Sequence, residues 1–198
     1  LLQRANNDYT TIDLEHAEEL AYRELIDSIR YIPLGDECGV MGNIANIITY
    51  KGRFYIQEEQ FDRVFIYDDT GRCLKKIDNK GRGPGEYLRI ESIDINTEKE
   101  ELMLVDGMSD KLFFYDLDGN FKSIHSIRYF QTENTLCLRD SVFLHISAPS
   151  QNFGNEGLYG YALVLSKGNE NFLKGYRYLP LQVGYKGGGQ IFKGYERS

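Results

Sequence analysis

Two stretches of this chain are copies of one another, and the distance between them limits the folds open to it. RFYIQEEQFDRVFIYDDTGRCLKKI (Arg53 to Ile77) realigns on ELMLVDGMSDKLFFYDLDGNFKSI (Glu101 to Ile124). Tyr67-Asp68 falls on Tyr115-Asp116 and Gly71 on Gly119, so 115 − 67 = 119 − 71 = 48 residues. A period of that size, filled with short apolar runs and Asp/Gly turns, marks a stack of small antiparallel sheets.

Each copy reads as four strands. The first gives 44–50, 53–57, 63–68 and 73–77, with Lys51-Gly52 at the first hairpin and Asp68-Asp69-Thr70-Gly71 at the last. The second gives 93–96, 101–106, 111–116 and 121–127, closing on Asp116-Leu117-Asp118-Gly119. Asp at the first and Gly at the fourth position suit a type I turn followed by a left-handed residue. The third strands, Val64–Tyr67 (VFIY) and Leu112–Tyr115 (LFFY), are apolar at every position. Continuous apolarity in a strand requires both faces to be covered. A blade lying between two other blades meets that condition, so the fold expected is an all-β propeller of four-stranded antiparallel blades.

Along the chain, residues 1–24 are polar, with a short helix-like spacing of Ala17, Leu20, Ala21 and Leu25. The propeller is expected over 25–198. It opens with an outer strand and loop (25–43), in which LIDSIRYIPL is ended by Pro33, and continues with blades at 44–89 and 90–132. A more worn blade follows at 136–180, and the start of a further one at 184–198. In the worn blade, Val142–Ile146 is the second strand and GYALVLSKGNENFLKGY the third strand, turn and outer strand. Its Gly/Asn-rich loop, Ser147–Gly160, has the composition of an insertion. About three and a half blades fall short of a closed ring. An open blade face of ~500 Å² of apolar area forfeits on the order of 12 kcal/mol, more than most domains possess in net stability. The rest of a longer propeller, or a second chain, is therefore expected to cover the open faces.

Composition removes several functions. A net charge of −7 and scattered basic residues supply no phosphate-binding footprint, so no nucleic-acid partner is expected. No apolar run approaches the ~20 residues of a membrane-spanning helix, and the opening Leu1-Leu2-Gln3-Arg4 turns polar at once, unlike a signal segment. The three cysteines, Cys38, Cys73 and Cys137, lack any CxxC spacing. They read as small buried hydrophobes in preference to a disulfide framework or a metal site.

The linker Gly81–Tyr87 (GRGPGEY), with LIDSIRYIPL and VFIYDDTGRCLKKI, resembles the six-bladed β-propeller lipoproteins of Bacteroidetes, relatives of the NHL-repeat propellers. The resemblance implies a six-bladed ring closed by the N-terminal strand, here Leu25–Leu34. It also implies a periplasmic or outer-membrane, cell-surface location, with a lipid on a cysteine after the signal peptide; no N-terminal cysteine of that kind stands in this sequence.

Among chemistry-bearing residues, Arg82, Glu86 and Tyr87 of the linker could clamp a carboxylate or a sugar hydroxyl, or could brace adjacent blades. GRGPGEY is no phosphate loop, lacking GxxxxGK[ST]. Asp116–Asn120 (DLDGN) imitates a calcium loop, but the twelfth position is Ile127, so a hairpin turn is expected. Asp106 and Asp110-Lys111 match Glu58 and Asp62-Arg63 at the 48-residue offset. A pair that recurs in each blade reads as a brace, with a carboxylate-lined binding face as the alternative. His16, His125 and His145 form no HxH or HExxH, and no GxSxG occurs; His145, inside an apolar strand, is expected to be a satisfied core histidine.

These residues favour a non-catalytic binding or interaction propeller that takes a small glycan, a peptide or another protein and needs no cofactor. The alternative is a lactonase-like hydrolase or lyase holding a divalent metal at the central channel. Asn43, Asn46 and Glu91-Ser92 lie near the positions that such a metal would need.

Overall fold

The structure, a computed structural model, describes residues 26–127, 134–146, 161–168 and 171–177. Two compact units divide the chain, Leu1–Ile32 and Pro33–Ser198. The helix-like segment 1–24, the loop Ser147–Gly160 and the fourth-blade start at 184–198 lie outside the described residues.

In the second unit the chain builds three four-stranded antiparallel sheets in sequence order. The first holds β1 (Ile44–Tyr50), β2 (Arg53–Glu58), β3 (Arg63–Asp68) and β4 (Cys73–Ile77). The second holds β5 (Ser92–Asn96), β6 (Glu101–Asp106), β7 (Lys111–Asp116) and β8 (Phe121–Ser126). The third holds β9 (Asn134–Cys137), β10 (Val142–Ile146), β11 (Tyr161–Lys167) and β12 (Asn171–Arg177), with a 3-10 turn at Arg139–Ser141. Strands pair only with their sequence neighbours, so each sheet is an up-and-down meander, and the first strands β1, β5 and β9 lie side by side. Together these are the blades of a β-propeller.

The period-2 alternation of strand side chains explains why β3 and β7 are apolar throughout. Val64 and Ile66 point one way, joining Tyr55 and Ile77 against Ile93, Ile95, Leu102, Leu104, Phe113 and Tyr115 of the second sheet. Phe65 and Tyr67 point the other way, into a cluster with Ile56 and Cys73 that Cys38, Met41 and Phe54 complete. The far face of the second sheet, Met103, Val105, Leu112 and Phe114, packs on Phe143 and Val164 of the third. LFFY is therefore shielded front and back by two other sheets, and VFIY by a sheet and a loop.

Turn chemistry follows the sequence. Gly71 (φ +89°) and Gly119 (φ +80°) take the left-handed residue after the third strands. Asp68 and Asp116 each accept backbone N–H bonds two and four residues ahead, from Thr70 and Arg72 and from Asp118 and Asn120. DLDGN is thus a hairpin turn held by its own aspartate.

Residues 26–34 form no strand among the described residues. One expectation needs correction. Cys38 and Cys73, read as separate buried thiols, are bonded in a disulfide with Cα atoms 5.9 Å apart. Their sequence separation of 35 gave no signal of pairing. They meet because the loop before β1 folds back onto the start of the outer strand β4.

Candidate ligand-binding face

Because the strands alternate direction, each blade has two ends. One carries the β2–β3 and β6–β7 turns and the starts of β1 and β5; the other carries the β1–β2, β3–β4, β5–β6 and β7–β8 turns. The recurring acids sit at the first end, and the structure shows what they do. Asp106, 1% exposed, accepts N–H bonds from Met108 (3.0 Å) and Ser109 (3.1 Å), an O–H from Ser109 (2.7 Å), and the backbone N–H of Leu88 (2.7 Å). Asp62 accepts the Ile90 N–H at 3.0 Å and pairs with Lys80 at 2.5 Å. Gln57 donates to the Ile90 carbonyl at 3.0 Å. An acid from each blade thereby grips the connection between them. Glu58 turns within its own blade to Arg63 at 3.0 Å, whose guanidinium lies 4.5 Å from the Phe61 ring. Asp62 and Asp106 thus join blade to connection, while Glu58, at the position equivalent to Asp106, does not.

The linker residues run between the contacts of those acids. Tyr87 is fully buried, donating to the Asp62 carbonyl at 2.8 Å and accepting from Asn79 N–H at 3.1 Å. Burial pushes its phenol well above the ordinary range. Its ring meets Phe113 edge-on at 6.0 Å. Glu86 accepts the Gly83 N–H at 2.7 Å and closes the linker tip on itself. That tip rests against Phe121, since a Cβ on Gly85 would stand 4.0 Å from its ring. Phe121 starts β8 and pairs near Tyr115, whereas Asp110 precedes Lys111 at the other end of β7. Glu86 stands two residues before Leu88, whose N–H Asp106 accepts, and Arg82 two residues after Lys80, which pairs with Asp62.

Of the five expected binding residues, Tyr87 and Asp106 face the interior with their polar atoms occupied, Arg82 and Glu86 mark the linker tip, and Asp110 stands on the turn-bearing end. Burial, and behind it the charge of Asp106, pushes the Asp110 carboxyl up. Two side chains that the sequence expectation missed stand in the same turns: Phe61 (51% exposed) and Met108 (65% exposed). An apolar residue inside a turn bounded by acids, EEQFD and DGMSD, was the available signal. Among the described residues, no three His, Cys, Asp or Glu side chains are grouped as metal ligands, Asn43, Asn46 and Glu91 notwithstanding. No described helix is long and apolar enough to cross a membrane.

The model of a family described as a domain of unknown function, DUF4934, matches residues 9–191. The chain belongs to the DUF4934 family. Its fold is shared with the crystal structure of a "Putative exported protein" of Bacteroides fragilis, at TM-score 0.68 and 19% identity over 80% of this chain. The DUF4934 chain spans 44% of that structure's length. More distant matches include a duf4221 family member from Bacteroides vulgatus (TM-score 0.44, 9% identity, covering 72% of this chain and 43% of that one). Another is the β-propeller domain of Myceliophteria thermophila Cps50 (TM-score 0.41, 15% identity, covering 74% of this chain and 44% of that one). No curated protein matches the chain.

The third blade of this DUF4934 chain holds a polar cluster in its interior. His145, 2% exposed, lies 2.9 Å from Thr135 Oγ1 through Nδ1 and 2.8 Å from Ser166 Oγ through Nε2. It is the satisfied core histidine expected, and burial lowers its pKa to about 4. In the unfolded chain the imidazole titrates near 6.5. The unfolded state then binds more protons between these values, so stability rises with pH across that window. We expect the full contribution, roughly 3 kcal/mol, above pH 6.5 and its progressive loss from there down to about pH 4. Urea midpoints of wild type and His145→Gln between pH 4 and 8 check this; parallel pH curves would refute it.

Proposed function

We propose that this chain is part of an exported, extracytoplasmic propeller that binds a glycan or peptide without transforming it. The ligand contacts the blade end carrying the β2–β3 and β6–β7 turns. The observation that carries the binding assignment is the use of Asp62 and Asp106: the carboxylates that recur at catalytic-looking positions spend their lone pairs on linker N–H groups. What the same end leaves open is Phe61, Met108 and the Asp110 carboxyl. An aromatic face suits the apolar face of a sugar ring, an exposed methionine adapts to varied side chains, and a carboxylate accepts from hydroxyl or amide. The Cys38–Cys73 bond supports an oxidising compartment, as does the likeness to the "Putative exported protein" of Bacteroides fragilis. A periplasmic or cell-surface setting, lipid anchoring and a six-bladed ring belong to the same proposal, on the strength of the sequence resemblance.

Calorimetric titration with soluble oligosaccharides and short peptides tests it. The expected result is saturable binding weakened at least tenfold by Phe61→Ala with Met108→Ala and unaffected by Arg82→Ala. Loss of binding in the Arg82 variant alone would move the site to the linker tip. A parallel thermal melt with calcium, zinc or manganese addresses the hydrolase or lyase alternative, because a bound metal raises the midpoint; a rise of several degrees would favour it.

A further inference from the structure

We propose that the Cys38–Cys73 disulfide is a redox-sensitive strap: it holds Gly35–Met41 over the outward face of the first blade, where the second blade has a preceding blade and an acid clamp instead. The internal repeat supplies the comparison. In the second blade, the tip of the incoming connection lies beside Phe121, the first residue of the outer strand, where a Cβ on Gly85 would reach van der Waals distance of its ring. In the first blade the same contact is made 48 positions earlier at Cys73, and there it is covalent, to Cys38. The incoming connection of the second blade is also fixed by Asp106, through the Leu88 N–H. Its counterpart in the first blade, Glu58, provides nothing similar. One carboxylate oxygen is committed to Arg63 and the Phe61 N–H, and the other, buried beside Gly42, has no hydrogen-bond partner.

Without the disulfide, the segment keeps a few bonds near one edge. Gly35 N–H donates to Gly71 O at 2.8 Å, Tyr67 O–H to Gly35 O at 3.2 Å, and Cys73 N–H to Glu37 Oε2 at 3.3 Å. Beneath it lie Ile56, Phe65 and Tyr67, on which Cys38 and Met41 pack. A dithiol reductant would break the S–S bond by taking its place as the oxidised partner, transferring two electrons and two protons to give two free thiols on Cys38 and Cys73. The strap then opens, and an apolar sheet face is uncovered on the first blade while the second stays closed. Cys137 takes no part: it is a free thiol, half-buried against Met103, and is pushed up to about 12 by burial.

Hydrogen exchange of the full chain, read by mass spectrometry with and without a dithiol reductant, tests the strap. Amides of Ile56 and of Phe65 to Tyr67 are expected to exchange at least tenfold faster after reduction, with those of Leu102–Val105 and Leu112–Tyr115 unchanged. The Cys38→Ser, Cys73→Ser double variant is expected to show the reduced pattern and no response to reductant. Unchanged protection in the first blade, or equal loss in both blades, would overturn the proposal. A variant that fails to fold is replaced by reduction of the intact chain, which needs no substitution.

Discussion

Phe113→Ala is expected to lower the unfolding free energy by about 3–5 kcal/mol, because the ring is fully buried between two blades. It lies among Tyr55, Val64 and Ile66 of the first sheet and Leu102, Leu104 and Tyr115 of its own, and takes the Tyr87 ring edge-on. Removing it opens a cavity in the surface that makes the two sheets one body and strips the linker of its aromatic partner. The loss is a large part of the 5–15 kcal/mol that a domain commonly possesses. Guanidinium titration reads it as a fall in midpoint at unchanged slope. A cost below about 1.5 kcal/mol, the range of a volume-conserving swap, would mean that the sheets do not pack face to face there.

Asp106→Ala is the second. The substitution withdraws acceptors from the N–H groups of Leu88, Met108 and Ser109 and from the Ser109 hydroxyl, in a site that is almost wholly shielded from water. Each buried donor left without a partner costs about 1–3 kcal/mol. Allowing for water entering a truncated site, the total is expected to be about 3–5 kcal/mol. Asp106→Asn keeps an acceptor and is expected to recover part of it. The local readout is faster exchange of the Leu88 amide in both variants. An Asp106→Ala protein as stable as wild type would show that the linker is held elsewhere.

Most of the blade architecture was legible in the sequence for a physical reason. VFIY and LFFY state two-sided burial in their composition, and Asp–x–x–Gly states a left-handed turn residue, so both signals are local. Strand bounds read from them differ from the structure by a residue or so at Glu58, Ser92 and Ile127. What escaped was encounter between distant positions. Cys38 and Cys73 look alike whether bonded or apart until the loop before β1 is seen folding onto β4. Tyr87 and Asp106 carry binding chemistry in their side chains, and only the fold reveals that the Asp62 carbonyl and the Leu88 N–H already engage them. Conversely Phe61 and Met108 were passed over, because an apolar residue within a repeat is first read as core; their exposure follows from the turn, a property of the backbone path.

The double grip on the connection between the first two blades has an evolutionary consequence. With Lys80 paired to Asp62 on one side and the Leu88 N–H held by Asp106 on the other, the tip from Arg82 to Glu86 hangs between fixed points. Lengthening, shortening or recoding that tip leaves the inclination of one blade to the next untouched. Natural diversification in such a chain is therefore channelled to a place where geometry is indifferent to it.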